Sequence, residues 1–381
     1  EVLHDFAPVE VLDKRFLDIV DPAARLTRVA WLDGARTEGP AWVWDIGALS
    51  FTTGNCQTEG DWDDVYIAGG TDPSSANTVR PMLHHSNHSN GQTVDFTGRG
   101  LYVCETTGRR VSLVRVDESG RVVSRKTVVD NYRGKPLNSP NDVVVKSDGT
   151  LWFTDPGYGC IQFPHQHCVL PANIYRFDPK TGELSVVYTG LDMPNGLAFS
   201  LDERMLYVSD SGAMHAHFDP SRAHEIVQFD VLDAGAASAL VNKRLFAEIT
   251  PGIPDGLKVD NAGNVYVAAG DGMQVFAPDG TLLGKIHTPP YPSALASLTA
   301  PYGQCSNIET GGDLGTPPFP HYRRHAFYLA AGPGVYAITL KSSGGDSPKP
   351  GPGVIGVERA ISAPRDTSAG ADDDGSEPVV I

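Results

Sequence analysis

Oxygen-bearing side chains recur along this chain at intervals of about 50 to 60 residues, each at the start of an apolar segment. Five of these leading residues are carboxylates or carboxamides, namely Glu38, Asn90, Asn141, Asn195 and Asp255. The sixth copy, Ser306-Asn307-Ile308-Glu309, is degraded. Such oxygens without Cys or His suit Ca²⁺ and, less well, Mg²⁺ or Mn²⁺. They are poor ligands for a structural zinc, so Zn²⁺ is the last of the alternatives. The pattern therefore predicts a metal centre, provided that the fold brings these residues together.

The segments that follow the leading residues have the pattern of paired β-strands. After Asn195, a short apolar stretch, a turn over residues 200–204 and a second apolar stretch end at Asp210. The segments after Asn141 and Asp255 repeat this arrangement with Gly, Asn and Asp in their turns. Repeats of about 50 residues with four strands each are typical of β-propellers. We predict an all-β fold, a six-bladed β-propeller whose four-stranded antiparallel blades surround a central channel.

The inner strand of each blade lines the channel of a propeller, so the leading residues are expected to meet at one mouth of it. The propeller is predicted to occupy residues 1–342, with residues 5–32 adding an outer strand that closes the ring. Three insertions, at 71–89, 157–172 and 212–224, are expected to rim the opening. Residues 343–381 are rich in Gly, Ser, Pro and Asp and are predicted to form a flexible tail.

Composition limits the partners of the chain. A net charge of -16 over 381 residues argues against binding to nucleic acid or to an anionic membrane surface. No apolar run approaches the ~18 residues of a membrane helix. The chain contains neither a Gly-x-Ser-x-Gly elbow nor a phosphate-binding Gly-x-x-x-x-Gly-Lys loop, which argues against a serine hydrolase and a nucleotide enzyme. The sequence leaves the oligomeric state open.

The cysteines bear on the compartment. Five cysteines are an odd number, so at least one is unpaired within the chain. Cys160 and Cys168 lie eight residues apart in one insertion and are predicted to form a disulfide, with two reduced thiols as the alternative. A disulfide and a chain that starts at Glu1 slightly favour a secreted protein over a cytoplasmic one.

Four motifs resemble the signature positions of the SMP-30/gluconolactonase family, the regucalcin-like lactonases. They are Glu38-Gly39-Pro40, Ser139-Pro140-Asn141-Asp142, Pro194-Asn195-Gly196-Leu197 and Pro254-Asp255-Gly256. The resemblance covers about residues 36 to 340. It implies a six-bladed propeller with one catalytic divalent cation, usually Ca²⁺, and lactone hydrolysis as the activity of most characterised members.

The resemblance also assigns site residues. Glu38, Asn195 and Asp255 match the metal ligands of the family, and Asn141 matches an asparagine that contacts metal or substrate. Asn90 falls in phase with them, is a less certain metal ligand and is predicted to bind substrate. Tyr158 is predicted to wall the pocket and bind substrate, with a packing role as the alternative. The histidine-bearing 71–89 insertion, the loop with the cysteine pair and the acidic tail depart from the family pattern and leave the substrate open.

An axial cation can polarise a lactone carbonyl and hold a water molecule, whose proton a carboxylate must accept. Asp255 is the predicted base, and Glu38 is predicted to be only a ligand; the alternative is that both only hold the metal and the base lies elsewhere. His88 is the second catalytic candidate and the first choice among His84, His85 and His88; the alternatives for all three are a second metal ligand or a plain loop position. His215 and His217 are weaker candidates.

The sequence thus predicts a metal-dependent lactonase, a carboxylic ester hydrolase that opens a small-molecule lactone or ester. One alternative keeps the metal site for organophosphate hydrolysis or for a non-hydrolytic cyclisation or isomerisation. Another is a calcium-binding propeller without enzymatic activity. Chelator sensitivity of an activity separates the enzymes from the pure binder.

Overall fold

The computed structural model describes residues 1–33, 35–53, 64–69, 79–215, 219–290, 304–311 and 326–341. Within these ranges the chain forms six small antiparallel sheets, the blades, and one separate two-stranded hairpin. The first strand of each blade contacts the first strand of the next, and the first strand of blade 6 contacts that of blade 1. The blades therefore close into a ring, and the predicted six-bladed β-propeller is confirmed.

The strands follow the repeats in chain order. Two N-terminal strands, β1 (Val9–Val11) and β2 (Thr27–Trp31), come before the first blade. Blade 1 contains β3 (Thr37–Val43), β4 (Ala48–Thr53), β5 (Asp64–Gly69) and β6 (Val79–Leu83). Blade 2 contains β7 (Ser89–Val94), β8 (Gly100–Glu105), β9 (Arg110–Val116) and β10 (Val122–Val129). The separate hairpin pairs β11 (Asn131–Tyr132) with β12 (Lys135–Pro136).

The second half of the ring repeats the same plan. Blade 3 contains β13 (Val143–Val145), β14 (Leu151–Asp155), β15 (Asn173–Asp178) and β16 (Glu183–Thr189). Blade 4 contains β17 (Pro194–Phe199), β18 (Met205–Asp210), β19 (Glu225–Leu232) and β20 (Ala239–Glu248). Blade 5 contains β21 (Leu257–Val259), β22 (Val265–Ala269), β23 (Gly272–Phe276) and β24 (Leu282–Ile286). Blade 6 contains β25 (Asn307–Gly311), β26 (Ala326–Ala331) and β27 (Gly334–Thr339).

Helical structure is confined to short connections. The helix α1 (Tyr158–Gln162) lies between β14 and β15, and 3₁₀ turns cover Lys14–Asp18, Gly212–His215 and Gly235–Ala237. None of the helices in the described ranges has the length and hydrophobicity that crossing a lipid bilayer requires. The disulfide between Cys160 and Cys168 is present, as the sequence predicts, and it links α1 to the loop behind it.

The N-terminal segment closes the ring at two blades. β2 pairs with β27 as the outer strand of blade 6, which agrees with the outer strand expected from residues 5–32. β1 pairs with β24 and gives blade 5 a fifth strand that the repeat did not predict. The predicted tail at 343–381 and the first part of the 71–89 insertion lie outside the described residues.

Hydroxyl groups bind each of three leading residues to the preceding blade. Their donors lie on second strands: Thr52 Oγ1 donates to Asn90 O (3.0 Å), Thr154 Oγ1 to Asn195 O (2.8 Å) and Ser209 Oγ to Asp255 O (2.6 Å). The glycine after a leading residue permits this close approach of blades. A Cβ at Gly256, for example, would lie 2.0 Å from Asn307 Oδ1. The backbone that carries the leading residues is therefore fixed by its neighbours.

Candidate active site

All seven side chains that the sequence assigns to the site line one cavity of about 390 Å³ at a mouth of the channel. They are Glu38, His88, Asn90, Asn141, Tyr158, Asn195 and Asp255. Five of them are the leading residues, which stand at or just before the first strands of blades 1 to 5. The ring therefore brings together residues that are far apart in sequence, as the repeat predicts.

Two carboxylates are buried in this cavity. Glu38 and Asp255 are 4% and 5% exposed. Burial raises the pKa of both groups, and the charge of Glu38 raises the pKa of Asp255 further. Arg36 partly offsets this, with its NH2 group 3.5 Å from Asp255 Oδ2. The cavity thus holds two carboxylates in a place where water stabilises their charged forms poorly.

The amides complete the donor set. Asn195 Nδ2 donates to the Tyr158 hydroxyl at 3.3 Å, and the Asn195 side chain also hydrogen-bonds Asp255. Asn141 Oδ1 is buried and accepts no hydrogen bond from any described residue. A buried acceptor without a donor is uncommon in native proteins and calls for an unseen partner. An oxygen-preferring cation between Glu38, Asp255 and Asn141 would supply that partner, so these residues fit such an ion.

The donor set also argues against a zinc-type centre. Among the described residues, no group of three or more His, Cys, Asp or Glu side chains is arranged to hold a metal, so any cation bound here would also need the amide oxygens. The cavity combines only two carboxylates with carboxamides and has a single histidine in its lining. Such a set is typical of Ca²⁺ and is poor for zinc, which prefers Cys and His.

His88 is the one histidine of its insertion that lines the cavity. Its Nδ1 lies 3.2 Å from Thr107 Oγ1, and its ring packs on Phe163 with centroids 4.5 Å apart. Asn87 and His88 both have left-handed backbones, with φ of +60° and +50°. Non-glycine residues in this conformation are uncommon and cluster at functional sites.

The other histidine candidates lie elsewhere. His84 Nδ1 lies 2.8 Å from Asp64 Oδ2, and the backbone N–H of His85 donates to the same carboxylate, so neither lines the cavity. His217 lies outside the described residues, and the side chain of His215 is not among those described. The sequence preference for His88 agrees with this placement, although its chemical role stays a prediction.

Tyr158 forms part of the wall. It starts α1, and burial raises the pKa of its hydroxyl, which therefore stays protonated. The helix is held over the mouth by the Cys160–Cys168 disulfide and by Gln166, whose Nε2 donates to Asn138 O (2.6 Å) and Thr106 O (3.2 Å). The loop with the cysteine pair thus rims the opening, as the sequence predicts.

The arrangement of a buried acidic cavity on a propeller axis agrees with the comparison to known families. The family model of the SMP-30/gluconolactonase/LRE-like region matches residues 37–299. The chain belongs to this family. The resemblance found in the sequence motifs is therefore confirmed.

Relatives of known name lie within the same family. A gluconolactonase of Zymomonas mobilis is 33% identical over 261 residues, which cover 66% of this chain and 69% of that protein. A pentonolactonase of Haloferax volcanii is 30% identical over 194 residues, or 48% of this chain and 58% of the relative. Among solved structures, a gluconolactonase of Xanthomonas campestris superposes with a TM-score of 0.68 at 31% identity, covering 89% of this chain and 97% of that one.

Eight further residues, which the sequence did not assign to the site, also line the cavity. They are Arg36, Ser89, Thr106, Ile161, Gln162, Phe163, Met214 and Ile253. Arg36 stands two residues before Glu38. Side chains two residues apart in an extended chain point to the same side, so this spacing could have placed Arg36 in the site beside Glu38. Ile161, Gln162, Phe163 and Met214 belong to insertions that were expected to rim the opening, but their individual side chains carried no signal.

Proposed function

We propose that this protein is a divalent-metal-dependent hydrolase that opens lactones, with Ca²⁺ as its resident cation. The convergence of Glu38, Asn141, Asn195 and Asp255 in one buried cavity carries the proposal, together with Asn141 Oδ1, which accepts no hydrogen bond from a described residue. Relatives at 33% and 30% identity are named gluconolactonase and pentonolactonase, which supports lactones as the substrate class. The substrate would be a small molecule, because the cavity measures about 390 Å³.

Glu38, Asn141, Asn195 and Asp255 would hold the cation. When bound, it would supply Lewis acidity to the ester carbonyl and neutralise part of the negative charge of the site. Glu38 also accepts a hydrogen bond from Gly39 N at 2.9 Å, which fixes one carboxylate oxygen. Asp255 has no such bond to its own strand among those described. We assign the proton acceptor role to Asp255, whose carboxylate is contacted by the side chains of Asn195 and Arg36 and not by its own backbone among the described contacts.

Hydrolysis needs a proton removed from water and a proton delivered to the leaving ring oxygen. Asp255 takes the first proton as the new carbon–oxygen bond forms, and the ester carbon–oxygen bond then breaks. His88, at the opposite side of the lining, is assigned to the leaving oxygen, with Thr107 and Phe163 holding its ring. Asn90 and Tyr158 are assigned to substrate binding, and Arg36 to the developing negative charge on the carbonyl oxygen.

The test combines metal analysis with turnover on one preparation. Metal content is measured by mass spectrometry, and hydrolysis of D-glucono-1,5-lactone and of pentonolactones by pH-stat titration, before and after chelation. We expect activity to vanish with chelator and to return with Ca²⁺ more fully than with Mg²⁺, Mn²⁺ or Zn²⁺. Activity that survives complete removal of metal would overturn the metal dependence, and bound Ca²⁺ without turnover of any lactone would overturn the reaction.

A pair of variants tests the proton acceptor. Asp255→Asn is expected to lower kcat by about 10² to 10⁴, the usual contribution of a general base. Asp271→Asn is the matched control, because Asp271 is a buried aspartate of the same blade that pairs with Lys285 and lies outside the cavity. Equal losses in the two variants would show that the effect of Asp255→Asn is structural.

A further inference from the structure

The wall of the cavity above the leading residues is divided into two halves of different chemistry. The half that comes from blades 1 and 2 carries charged or hydrogen-bonding side chains, namely Arg36, His88, Ser89 and Thr106. Blades 1 and 2 are neighbours in the ring. These four side chains therefore come from the same two adjacent blades as Glu38 and Asn90.

The half that comes from blades 3, 4 and 5 is mostly apolar. It consists of Ile161 and Phe163 at α1, Met214 in the connection of blade 4, and Ile253 before β21, with Gln162 as its one polar member besides Tyr158. Ile161 is 48% exposed although it faces the cavity. An isoleucine left open at the mouth of a binding cavity is a surface that a ligand can cover.

The part of this apolar half around α1 is preformed. The disulfide to Cys168 starts at Cys160 in the middle of the helix, and Gln166, in the loop that follows, donates hydrogen bonds to the backbone of Asn138 and Thr106. Phe163 packs on His88 and is only 4% exposed. A wall that is already ordered loses little conformational entropy when a ligand binds, so more of its contact energy contributes to affinity.

The two halves discriminate between lactones. A sugar lactone carries hydroxyl groups around its ring, and those that face Ile161 and Met214 would lose their hydrogen bonds to water without replacement. An apolar substituent in the same place would bury hydrocarbon against hydrocarbon, which is favourable. The cavity is also larger than an unsubstituted monocyclic lactone requires.

We infer that the preferred substrates are lactones with an apolar substituent, whose ester group faces the leading residues while the substituent covers Ile161, Met214 and Ile253. The inference rests on the proposed lactone hydrolysis and names its substrate class. The polar half then holds the ring and the carbonyl side of the molecule. Selectivity resides in the connections of blades 3 and 4, outside the leading residues.

The experiment uses the full chain, loaded with Ca²⁺, and a homologous series of γ-butyrolactone, γ-hexalactone, γ-octalactone and γ-decalactone beside D-glucono-1,5-lactone. We expect kcat/KM to rise about fourfold for each methylene that the apolar half covers, and to exceed the value for the sugar lactone. In Ile161→Asn and Met214→Gln, the ratio of kcat/KM for γ-octalactone to that for D-glucono-1,5-lactone should fall about tenfold.

Val169→Asn is the matched control. Val169 is 49% exposed, sits in the same insertion one residue after Cys168, and does not line the cavity. Its variant should keep the wild-type ratio. Efficient turnover of D-glucono-1,5-lactone with no gain along the alkyl series would overturn the inference and leave the proposed lactonase standing. Failure of every lactone would overturn both.

Discussion

Glu38 and Asp255 place two carboxylates in one buried cavity, where charging them costs free energy. Burial raises the pKa of each group, and Arg36 offsets only part of their repulsion. Buried like charges without full compensation lower the free energy of unfolding. The metal-binding residues are therefore expected to destabilise the fold until a cation neutralises them.

Removing one of the two carboxylates should remove part of this destabilisation. We predict that Glu38→Gln raises the free energy of unfolding in the presence of chelator by about 1 to 2 kcal/mol. The same variant should lose the stabilisation that Ca²⁺ gives the wild type, because stabilisation by a ligand follows its affinity. Thermal unfolding with EDTA and with millimolar Ca²⁺ measures both effects.

Asp64→Asn serves as the control for this prediction. Asp64 is a carboxylate of the same blade that contacts His84 and does not line the cavity. Its variant should gain as much stability from Ca²⁺ as the wild type gains. If Glu38→Gln gains just as much, Glu38 is not a ligand of the cation.

The site residues that could be predicted from the sequence are those that recur periodically. Glu38, Asn90, Asn141, Asn195 and Asp255 each start a repeat, and a ring of equivalent blades places the start of every repeat at the same mouth of the channel. Met214 and Ile253 could not be predicted, because they lie in connections whose path depends on packing between blades. The roles of the site residues remain predictions, whereas their meeting in one cavity is a feature of the structure.

At the scale of elements, a turn before blade 3 aims Asn141 at the axis. Asp155, at the end of β14, accepts hydrogen bonds from the backbone N–H groups of Asn138 and Ser139, both at 2.8 Å. Asp155 is fully buried, and burial raises its pKa to about 7. The two hydrogen bonds favour the charged form, yet burial prevails.

This pKa gives the stability of the protein a pH dependence of known sign. Between about pH 4 and pH 7 the folded state holds a proton on Asp155 that the unfolded state has released, so stability falls as pH rises. The slope due to this one group is at most about 1.4 kcal/mol per pH unit. In Asp155→Asn this contribution should be absent, so stability should fall less steeply with pH, whatever the absolute stability of the variant. Urea unfolding of both proteins across this pH range measures the difference, and parallel curves would contradict the assignment.

The hairpins were the elements most open to prediction. Turn residues such as those between β21 and β22 carry their own chemistry: Asp260 Oδ1 accepts from the N–H groups of Ala262 and Asn264, and Gly263 takes a φ of +82°. The helix α1 was not predicted, because five residues inside a disulfide loop show no helical periodicity. The hairpin β11–β12 was missed for a similar reason, since two-residue strands leave no alternation to detect.

At the scale of the whole molecule, the chain must join its ends to close the ring. The N-terminal segment pairs with blade 5 through β1 and with blade 6 through β2. Between these strands Phe16, Ile19, Val20 and Leu26 belong to one buried cluster with residues of both blades. The segment from β1 to β2 therefore links blades 5 and 6 across their boundary, and we call it the clasp. Blade 5 also carries Asp255.

Phe16 is the residue that tests this clasp. It is fully buried and packs directly on Gly284 of β24, where a Cβ would lie 2.2 Å from its ring. Phe16→Ala should lower the free energy of unfolding by about 3 to 5 kcal/mol. Leu12→Ala, in the same segment but 51% exposed, should cost no more than about 0.5 kcal/mol. Urea unfolding followed by tryptophan fluorescence compares the two, and equal small losses would show that the clasp does not stabilise the ring. A single transition in both variants would further indicate that the blades unfold together, because each blade buries its faces only against its neighbours.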